Sequence, residues 1–441
     1  MSKLLIKSAR LVDGTVTDVL IENGIITNVA VNIANGEFET LDANGLIMMT
    51  GFVDLHTHLR EPGFEQSETI LSGSRAAAVG GFTTVHAMAN TSPVADNAGV
   101  VEQVHSLGRK YGYVDVRPVG AVTLGLEGVA LSEIGAMASS RAAVRVFSDD
   151  GKCVWDSNLM RRALEYVHTF DGVIAQHAQD PKLTENAQMH EGITSSQLGL
   201  KGWPASAEES IIARDLLLAN EVGAQLHVCH VSTAGSVGIL RWAKARGFRV
   251  TAEVTPHHLM LTDSLAQSYN PVFKVNPPLR TETDVQAVRE GLADGTIDCV
   301  ATDHAPHPQE SKECEWEMAA FGMIGLESAL SVVQTSMVET GLLDWAGVQR
   351  VMSSNPSQIG QLESHPNSIA IGQPANLVLI DANSKQLFDE SAIRSKSHNS
   401  PFLGVELSGR VAATIHRGRI TARNQTAVDS AFPDGEAQSN D

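Results

Sequence analysis

The two ends of the chain share short runs of alternating apolar and polar residues, a pattern typical of β-strands. In the first fifty or so residues, an Asn23-Gly24 pair separates two such runs, and this dipeptide is a strong signal for a tight hairpin turn. The runs NLVLID and VAATIHRGRITAR repeat the pattern near the other end, with a second turn predicted at Arg417-Gly418. We therefore expect residues 1–51 and 365–425 to form one small β-sandwich domain.

Between these ends, apolar or β-branched runs alternate with stretches of helical periodicity, which indicates βα units and a parallel sheet. Eight runs are predicted to be strands: Phe52–Thr57, Phe82–Met88, Val114–Ala121, Ala143–Phe147, Val173–His177, Gln225–Cys229, Phe248–Val254 and Ile297–Thr302. A helix is predicted over Ala207–Glu221, with Ser206 and Glu209 forming a capping box. Because eight strand–helix units favour a closed barrel, we expect an α/β fold in which residues 52–364 form a TIM-type (β/α)8 barrel.

Composition excludes several classes of partner. The 441-residue chain has a formal net charge of −19, which argues against nucleic acid or an anionic membrane surface. Neither a signal peptide nor a membrane-spanning run is predicted. The four cysteines (Cys153, Cys229, Cys299 and Cys314) show no CxxC pairing, so we expect a cytoplasmic location. Residues 426–441 are polar and are expected to be a disordered tail.

Histidine and aspartate residues recur at the ends of the predicted strands. His56 and His58 end the first run, Asp149 and Asp150 follow the fourth, His177 closes the fifth, His230 follows the sixth, and Asp303 follows the eighth. The carboxyl ends of barrel strands meet at one mouth, where active sites of this fold lie, so we expect these side chains to converge. A group of imidazoles and carboxylates suits Zn²⁺ or a similar divalent ion.

This set is larger than one tetrahedral zinc needs, and two ions sharing a carboxylate fit it better. Spacing alone leaves open which of Asp149 and Asp150 turns inward. His257 and His258 also follow a strand, and we expect them to support or cap the site. We expect His86 to pack in the core.

Further polar residues lie close to the same strand ends. Arg60 follows His58 by two residues, so its guanidinium is expected to face the same mouth and clamp a carboxylate. The alternative is a salt bridge to Glu61 or to another carboxylate at the rim. Asn90 and Asn276 follow the second and seventh strands, either as ligand contacts or as turn residues. His307 begins a long loop that reaches the Phe321-Gly322 pair and could cover the site.

Several strings resemble the dihydroorotases of the amidohydrolase superfamily, specifically the longer bacterial class. They are GFVDLHTHLREPG, GGFTTVHAMANTSPV, FSDDGK, HVCHVST, TAEVTPHHL, NPPLR and GTIDCVATDHAPH. The resemblance runs from the N-terminal strands to SPFLG near Phe402. The motifs are specific in combination, whereas HxH and TDHAPH alone are shared with hydantoinases and allantoinases.

The resemblance implies a role for each candidate residue. Two Zn²⁺ ions are expected, one bound by His56, His58 and Asp303, the other by His177 and His230, with Asp150 bridging them. The implied substrate contacts are His58, Arg60, Asn90, Asn276, His307, Phe321 and Gly322, with Arg60 and Asn90 at the substrate's carboxylate.

The implied activity is the reversible cyclisation of N-carbamoyl-L-aspartate to (S)-dihydroorotate in de novo pyrimidine (UMP) biosynthesis. A metal-bridged hydroxide would attack the ring carbonyl, with Asp303 as general base and then acid. One alternative is another cyclic amidohydrolase, acting on hydantoins, dihydropyrimidines or allantoin. The other is a non-catalytic dihydroorotase-like partner of aspartate carbamoyltransferase, which should have lost metal ligands. A homodimer, or association with that transferase, is compatible with an active enzyme.

Overall fold

A computed structural model describes residues 3–36, 38–366 and 368–428. Its strands are β1 Lys3–Leu11, β2 Val16–Glu22, β3 Ile25–Ala30, β4 Glu39–Asp42, β5 Ile47–Thr50, β6 Phe52–Thr57, β7 Phe82–Ala87, β8 Asp115–Pro118, β9 Val146–Phe147, β10 Val173–Gln176, β11 Met189–His190, β12 Gly202–Trp203, β13 Gln225–Val228, β14 Val250–Val254, β15 Cys299–Val300, β16 Leu377–Leu387, β17 Glu406–His416, β18 Arg419–Arg423 and β19 Thr426–Ala427.

The helices connect or follow the parallel strands. They are α1 Ile70–Val79, α2 Ala98–Tyr111, α3 Ile134–Ser139, α4 Ser157–His168, α5 Ile193–Leu198, α6 Ser206–Val222, α7 Ala234–Ala245, α8 Glu282–Asp294, α9 Ala329–Val333, α10 Trp345–Gln349 and α11 Asn355–Ile359. Within the described ranges, none of these helices has the length and apolar character needed to cross a bilayer.

Strands from both ends of the chain pair in one nine-stranded sheet, in the order β19-β18-β17-β16-β5-β1-β2-β3 with β4 beside β1. Both predicted turns are confirmed, because Asn23 and Gly24 have φ of 51° and 83°, and Arg417 and Gly418 have φ of 50° and 75°. The predicted disorder is wrong for Thr426–Ala427, which pair with β18. Val428 also donates a hydrogen bond to the Thr421 carbonyl, and residues 429–441 of that predicted tail lie outside the described residues.

Each of the eight predicted runs contains a parallel strand; β6 has the predicted bounds, and the other seven strands are shorter than predicted. β6, β7 and β8 form one sheet, and β9, β10, β13, β14 and β15 form another. Isolated parallel bridges, Gly120 to Phe147 and Thr57 to His304, link the two sheets at both edges. The central part of the chain is therefore α/β, with its parallel strands adjoining one another at both edges.

A buried carboxylate ties the first of these strands to the last. Asp54, on β6, is fully buried and accepts hydrogen bonds from the amide (3.1 Å) and the hydroxyl (2.6 Å) of Thr302, just beyond β15. This pairing replaces the water that a buried carboxylate would otherwise need. It holds the strand that carries His56 beside the one that leads to Asp303.

The predicted helix is present as α6, but its predicted capping box is wrong. The N-cap is Ala205, and no side chain of the described residues caps the helix. Glu209 instead accepts a hydrogen bond from the Thr233 hydroxyl (3.0 Å), at the start of α7. A contact with a neighbouring helix has replaced the local one, and Glu208 and Glu209 still place negative charge on the first turn.

The β2–β3 turn yields a stability prediction. A Cβ at Gly24 (φ +83°) would lie 2.9 Å from the Arg417 carbonyl oxygen, whereas one at Gly14 (φ +88°) meets nothing within 4 Å. Left-handed backbone costs a non-glycine residue about 1–2 kcal/mol, so Gly14→Ala should lose about that much unfolding free energy. Gly24→Ala should lose more, as measured by urea denaturation. Equal losses would mean that contact with the Arg417 turn is unimportant.

Candidate active site

One buried carboxylate contacts all four histidines predicted to bind metal. Oδ1 of Asp150 lies 3.2 Å from His56 Nε2 and His177 Nδ1, and 3.3 Å from His230 Nε2. Its Oδ2 lies 3.3 Å from His58 Nε2. Because these residues come from four different strand ends, the convergence depends on the parallel arrangement of the strands.

Asp303 completes the cluster on the side of His56 and His58. Its Oδ1 lies 3.1 Å from His58 Nε2 and 3.5 Å from His56 Nε2. On the other side, His177 Nδ1 faces His230 Nε2 at 2.9 Å. His230 and Asp303 both have positive φ, 33° and 46°, a strained backbone conformation of the kind found at functional sites.

The structure distinguishes the two adjacent aspartates. Oδ1 of Asp149 accepts hydrogen bonds from the backbone amides of Val122 (2.8 Å) and Thr123 (3.0 Å), and the Thr123 hydroxyl donates to its other oxygen. Asp149 thus holds the loop after β8 in place. Its neighbour Asp150 is the inward-facing carboxylate.

Charge within the cluster is balanced locally. Burial alone would raise the pKa of Asp150, but His56 and the hydrogen bonds from His177 and His230 hold it well below its usual value. Burial likewise would lower the pKa of His56, but the carboxylates of Asp150, Glu253 and Asp303 raise it well above normal. The carboxylates are therefore anionic and require positive charge close by.

The donor set fits divalent cations. His56 Nε2 is buried and has no hydrogen-bond partner in the described part of the chain, as expected of an atom that ligates a metal. Ligand atoms lie within 4.8 Å of one another in the group His56, His58 and Asp303, and in the group His56, Asp150 and His230. Nitrogen and oxygen donors in this number suit zinc or a similar ion.

Sequence reasoning missed the residues that orient His56. Glu253 Oε1 lies 2.7 Å from His56 Nδ1, and Glu253 Oε2 lies 3.0 Å from His227 Nε2. The other nitrogen of His227 contacts the Thr251 hydroxyl at 2.9 Å. A carboxylate holding a ligand histidine is common at metal sites. The available signal was a glutamate and a histidine inside otherwise apolar strand runs, where charge is costly to bury.

Gln179 and His304 were also missed. Gln179 Oε1 lies 2.7 Å from His177 Nε2, which leaves His177 Nδ1 to face the cluster. His304 is fully buried, with Nε2 3.4 Å from the carboxylate of Glu68. Glu68 also accepts hydrogen bonds from the hydroxyls of Ser72 and Ser395, and so links α1 to the segments after β15 and before β17.

Arg60 lies near the cluster, and within the described residues it forms no salt bridge with Glu61. Its Nε donates to the Pro306 carbonyl (3.2 Å), and Glu61 instead accepts the Ile70 amide (2.8 Å). Burial lowers the pKa of Arg60 to about 10, against the opposing effect of the Asp303 and Asp150 carboxylates. Arg60 is therefore a partly buried cation beside the candidate metal ligands.

The other predicted substrate contacts have partners within the protein. Asn90 Oδ1 lies 2.9 Å from His58 Nδ1 and so orients that ligand. His307 Nε2 donates to the Phe321 carbonyl at 2.8 Å. A Cβ at Gly322 (φ +135°) would lie 2.9 Å from His307 Nε2, so this close approach requires glycine. His307 and the Phe321-Gly322 pair thus form one unit.

Three further histidines that the sequence analysis considered, His86, His257 and His258, are buried. His258 Nδ1 contacts the Thr255 hydroxyl (2.8 Å), and its Nε2 lies 3.2 Å from the Pro277 carbonyl oxygen, so it caps this loop. His86 is buried with Nδ1 3.0 Å from the Asp54 carbonyl oxygen, and burial lowers its pKa to about 4. His257 is also buried, and its Nε2 has no partner among the described residues.

Known proteins share both the sequence and the fold. A family profile described as "Dihydro-orotase-like" matches residues 45–236. A dihydroorotase of Streptomyces coelicolor is 62% identical over 421 residues, covering 96% of this chain and 98% of the relative. A dihydroorotase of Mycobacterium tuberculosis is 51% identical over 413 residues, covering 93% and 96%. The solved structure of an L-hydantoinase (dihydropyrimidinase) from Arthrobacter aurescens matches with a TM-score of 0.87 and 26% identity, covering 97% of this chain and 98% of that one.

The fold and the matched proteins place the chain among the cyclic amidohydrolases. Its sequence similarity over nearly the full length is to dihydroorotases, well above its similarity to the hydantoinase. The chain belongs to the dihydroorotase family.

Glu253 provides a test of the site's geometry. Glu253→Gln should weaken zinc binding by about 10–100-fold, because the amide holds the His56 imidazole less firmly than the carboxylate does. The matched control is Glu208→Gln, another buried glutamate, which contacts Ser232 and Ser236. Zinc affinity is measured by competition with a chromophoric chelator. Equal affinities for the two variants would show that Glu253 does not support the ligand.

Proposed function

We propose that the chain is an active dihydroorotase, which catalyses the reversible cyclisation of N-carbamoyl-L-aspartate to (S)-dihydroorotate in pyrimidine (UMP) synthesis. The observation that carries the proposal is the complete ligand set around Asp150, with a partly buried cation, Arg60, beside it. The ligand set suits amide hydrolysis, and the Arg60 cation suits a substrate that carries a carboxylate.

We assign two zinc ions to the cluster. His56, His58 and Asp303 would hold one ion, and His177 and His230 the other, with Asp150 between them. When bound, such a pair supplies a hydroxide nucleophile at neutral pH and stabilises negative charge on a carbonyl oxygen. Asp150 is within 3.3 Å of the facing nitrogen of every histidine in the set, which supports a bridging role.

Asp303 is assigned the proton transfer. Burial raises its pKa, but the neighbouring His56 and His58 keep the pKa below the usual value, so the carboxylate is ready to accept a proton. In ring opening it takes the proton of the attacking nucleophile and delivers it to the departing amide nitrogen. In ring closure the same proton moves in the opposite direction.

Substrate binding is assigned to the positive and polar groups beside the cluster. Arg60 would pair with the substrate's carboxylate, together with Asn90, and His58 borders the same position. Asn276, His307 and the backbone of Phe321 and Gly322 would contact the ring. With a net charge of −19 on the whole chain, attraction of an anionic substrate depends on these local groups.

The finer assignments of fold and location belong to the same proposal. We assign residues 52–364 to a closed TIM-type barrel and residues 1–51 and 365–425 to the small β domain. The linking bridges at both sheet edges and the shared nine-stranded sheet support this division. Four free cysteines, three of them buried, support a cytoplasmic location.

The structural match to an L-hydantoinase makes a cyclic amidase for uncharged rings the second candidate. Such an enzyme has no need for a carboxylate clamp, so the partly buried Arg60 favours a dihydroorotase over that candidate. A non-catalytic partner of aspartate carbamoyltransferase is disfavoured by the intact ligand set.

Arg60→Ala tests the substrate class. It should reduce kcat/KM for dihydroorotate by an amount equivalent to about 2–5 kcal/mol, because a buried charge pair is lost. Any turnover of dihydrouracil, which lacks the carboxylate, should change little. Steady-state ring opening of both compounds measures this, and an equal loss for both would contradict the clamp.

Asp303→Asn tests the proton carrier. Ring opening should become undetectable, because the variant loses a metal ligand and the proton acceptor together. Asp389→Asn, at an exposed aspartate, should retain wild-type turnover. Substantial turnover by Asp303→Asn would require a different general base.

A further inference from the structure

A hydrogen-bond relay connects a candidate metal ligand to a candidate substrate contact through Gln179. Its Oε1 lies 2.7 Å from His177 Nε2 and 3.0 Å from Asn276 Nδ2. Its Nε2 lies 2.9 Å from the Thr184 hydroxyl oxygen, which in turn donates to the Asp180 carbonyl at 2.9 Å.

The hydrogen bonds of Thr184 set the orientation of the relay. The single proton of the Thr184 hydroxyl is used on the Asp180 carbonyl, so the Thr184 oxygen can only accept from Gln179. The NH₂ group of Gln179 therefore points to Thr184. Its carbonyl oxygen points to His177 and Asn276, and both of these must donate to it.

Two consequences follow at the site. His177 carries a proton on Nε2, so Nδ1, which faces Asp150 and His230, is the nitrogen left to ligate a metal ion. The NH₂ group of Asn276 donates to Gln179, so Asn276 Oδ1 faces away from Gln179 and is available to accept another hydrogen bond. That oxygen is buried and lacks a hydrogen-bond partner among the described residues. A buried amide oxygen without a partner is costly unless a ligand supplies a donor.

We propose that Gln179 is a positioning residue that fixes Asn276 Oδ1 as a hydrogen-bond acceptor for a ring N–H of the substrate. This inference rests on the proposed function. In dihydroorotate the bond that breaks joins a carbonyl carbon to one ring nitrogen. The other ring N–H, next to the carbon bearing the carboxylate, keeps its proton throughout, and a fixed acceptor suits that group. The same relay sets the tautomer of His177, so Gln179 serves both metal binding and substrate selection.

The test compares two substrates that differ only at this N–H. One is dihydroorotate, and the other is the cyclic imide in which CH₂ replaces that N–H. The measured quantity is kcat/KM for dihydroorotate divided by kcat/KM for the imide. The intrinsic reactivities of the two compounds are the same for every variant, so a change in this ratio reports a change in the protein. Asn276→Ala and Gln179→Met should lower the wild-type ratio by about tenfold or more, because the fixed acceptor is lost. Gln179→Glu should retain the ratio, because a carboxylate still accepts from both neighbours. Gln197→Met, at an exposed glutamine, is the control.

A second measurement does not depend on turnover. Zinc titration of the metal-free protein should show weaker binding of one ion in Gln179→Met, by about tenfold, and near wild-type binding in Gln179→Glu.

Unchanged kcat/KM ratios in both Asn276→Ala and Gln179→Met, or equal zinc binding by Gln179→Met and Gln179→Glu, would overturn the proposal. If the wild-type protein does not open dihydroorotate, the proposed function fails, and the zinc titration still decides whether Gln179 orients His177.

Discussion

The structure depends on the burial of one carboxylate, Asp150, among four imidazoles. A buried anion is tolerated only where positive charge and hydrogen-bond donors surround it. Here those groups come from separate strand ends, so no local segment of the chain can assemble them. The parallel strands bring them together, and the Asp54–Thr302 pairing keeps the first and last strands adjacent.

Around this centre, three of the histidines are held by a group on the ring nitrogen that faces away from it. Glu253 holds His56, Asn90 holds His58 and Gln179 holds His177. Imidazoles fixed in this way have their remaining nitrogens directed at the centre before any ion binds. Such preorganisation reduces the entropy lost on binding and fixes the tautomer of each ligand. The orienting groups therefore define the site as much as the ligands do.

Sequence patterns predicted the parts of the fold that arise from local regularity. Apolar runs located the eight parallel strands, and the histidines and aspartates at their ends located the cluster. The pattern did not extend to contacts made by distant segments. Glu253, His227 and His304 were missed because their partners lie far along the chain, and Gln179 was missed because it joins His177 to the distant Asn276. The capping box at Ser206 was wrong because Glu209 contacts Thr233 instead. Spacing alone could not distinguish Asp149 from Asp150, and only the family resemblance pointed to Asp150.

The central claim is that these side chains surround two cations bridged by Asp150. The most direct measurement is anomalous diffraction at the zinc edge from crystals of the zinc-loaded protein. The account predicts two peaks about 3.5–4 Å apart, one beside His56, His58 and Asp303, the other beside His177 and His230. No peak at this cluster, or a single peak not in contact with Asp150, would contradict it.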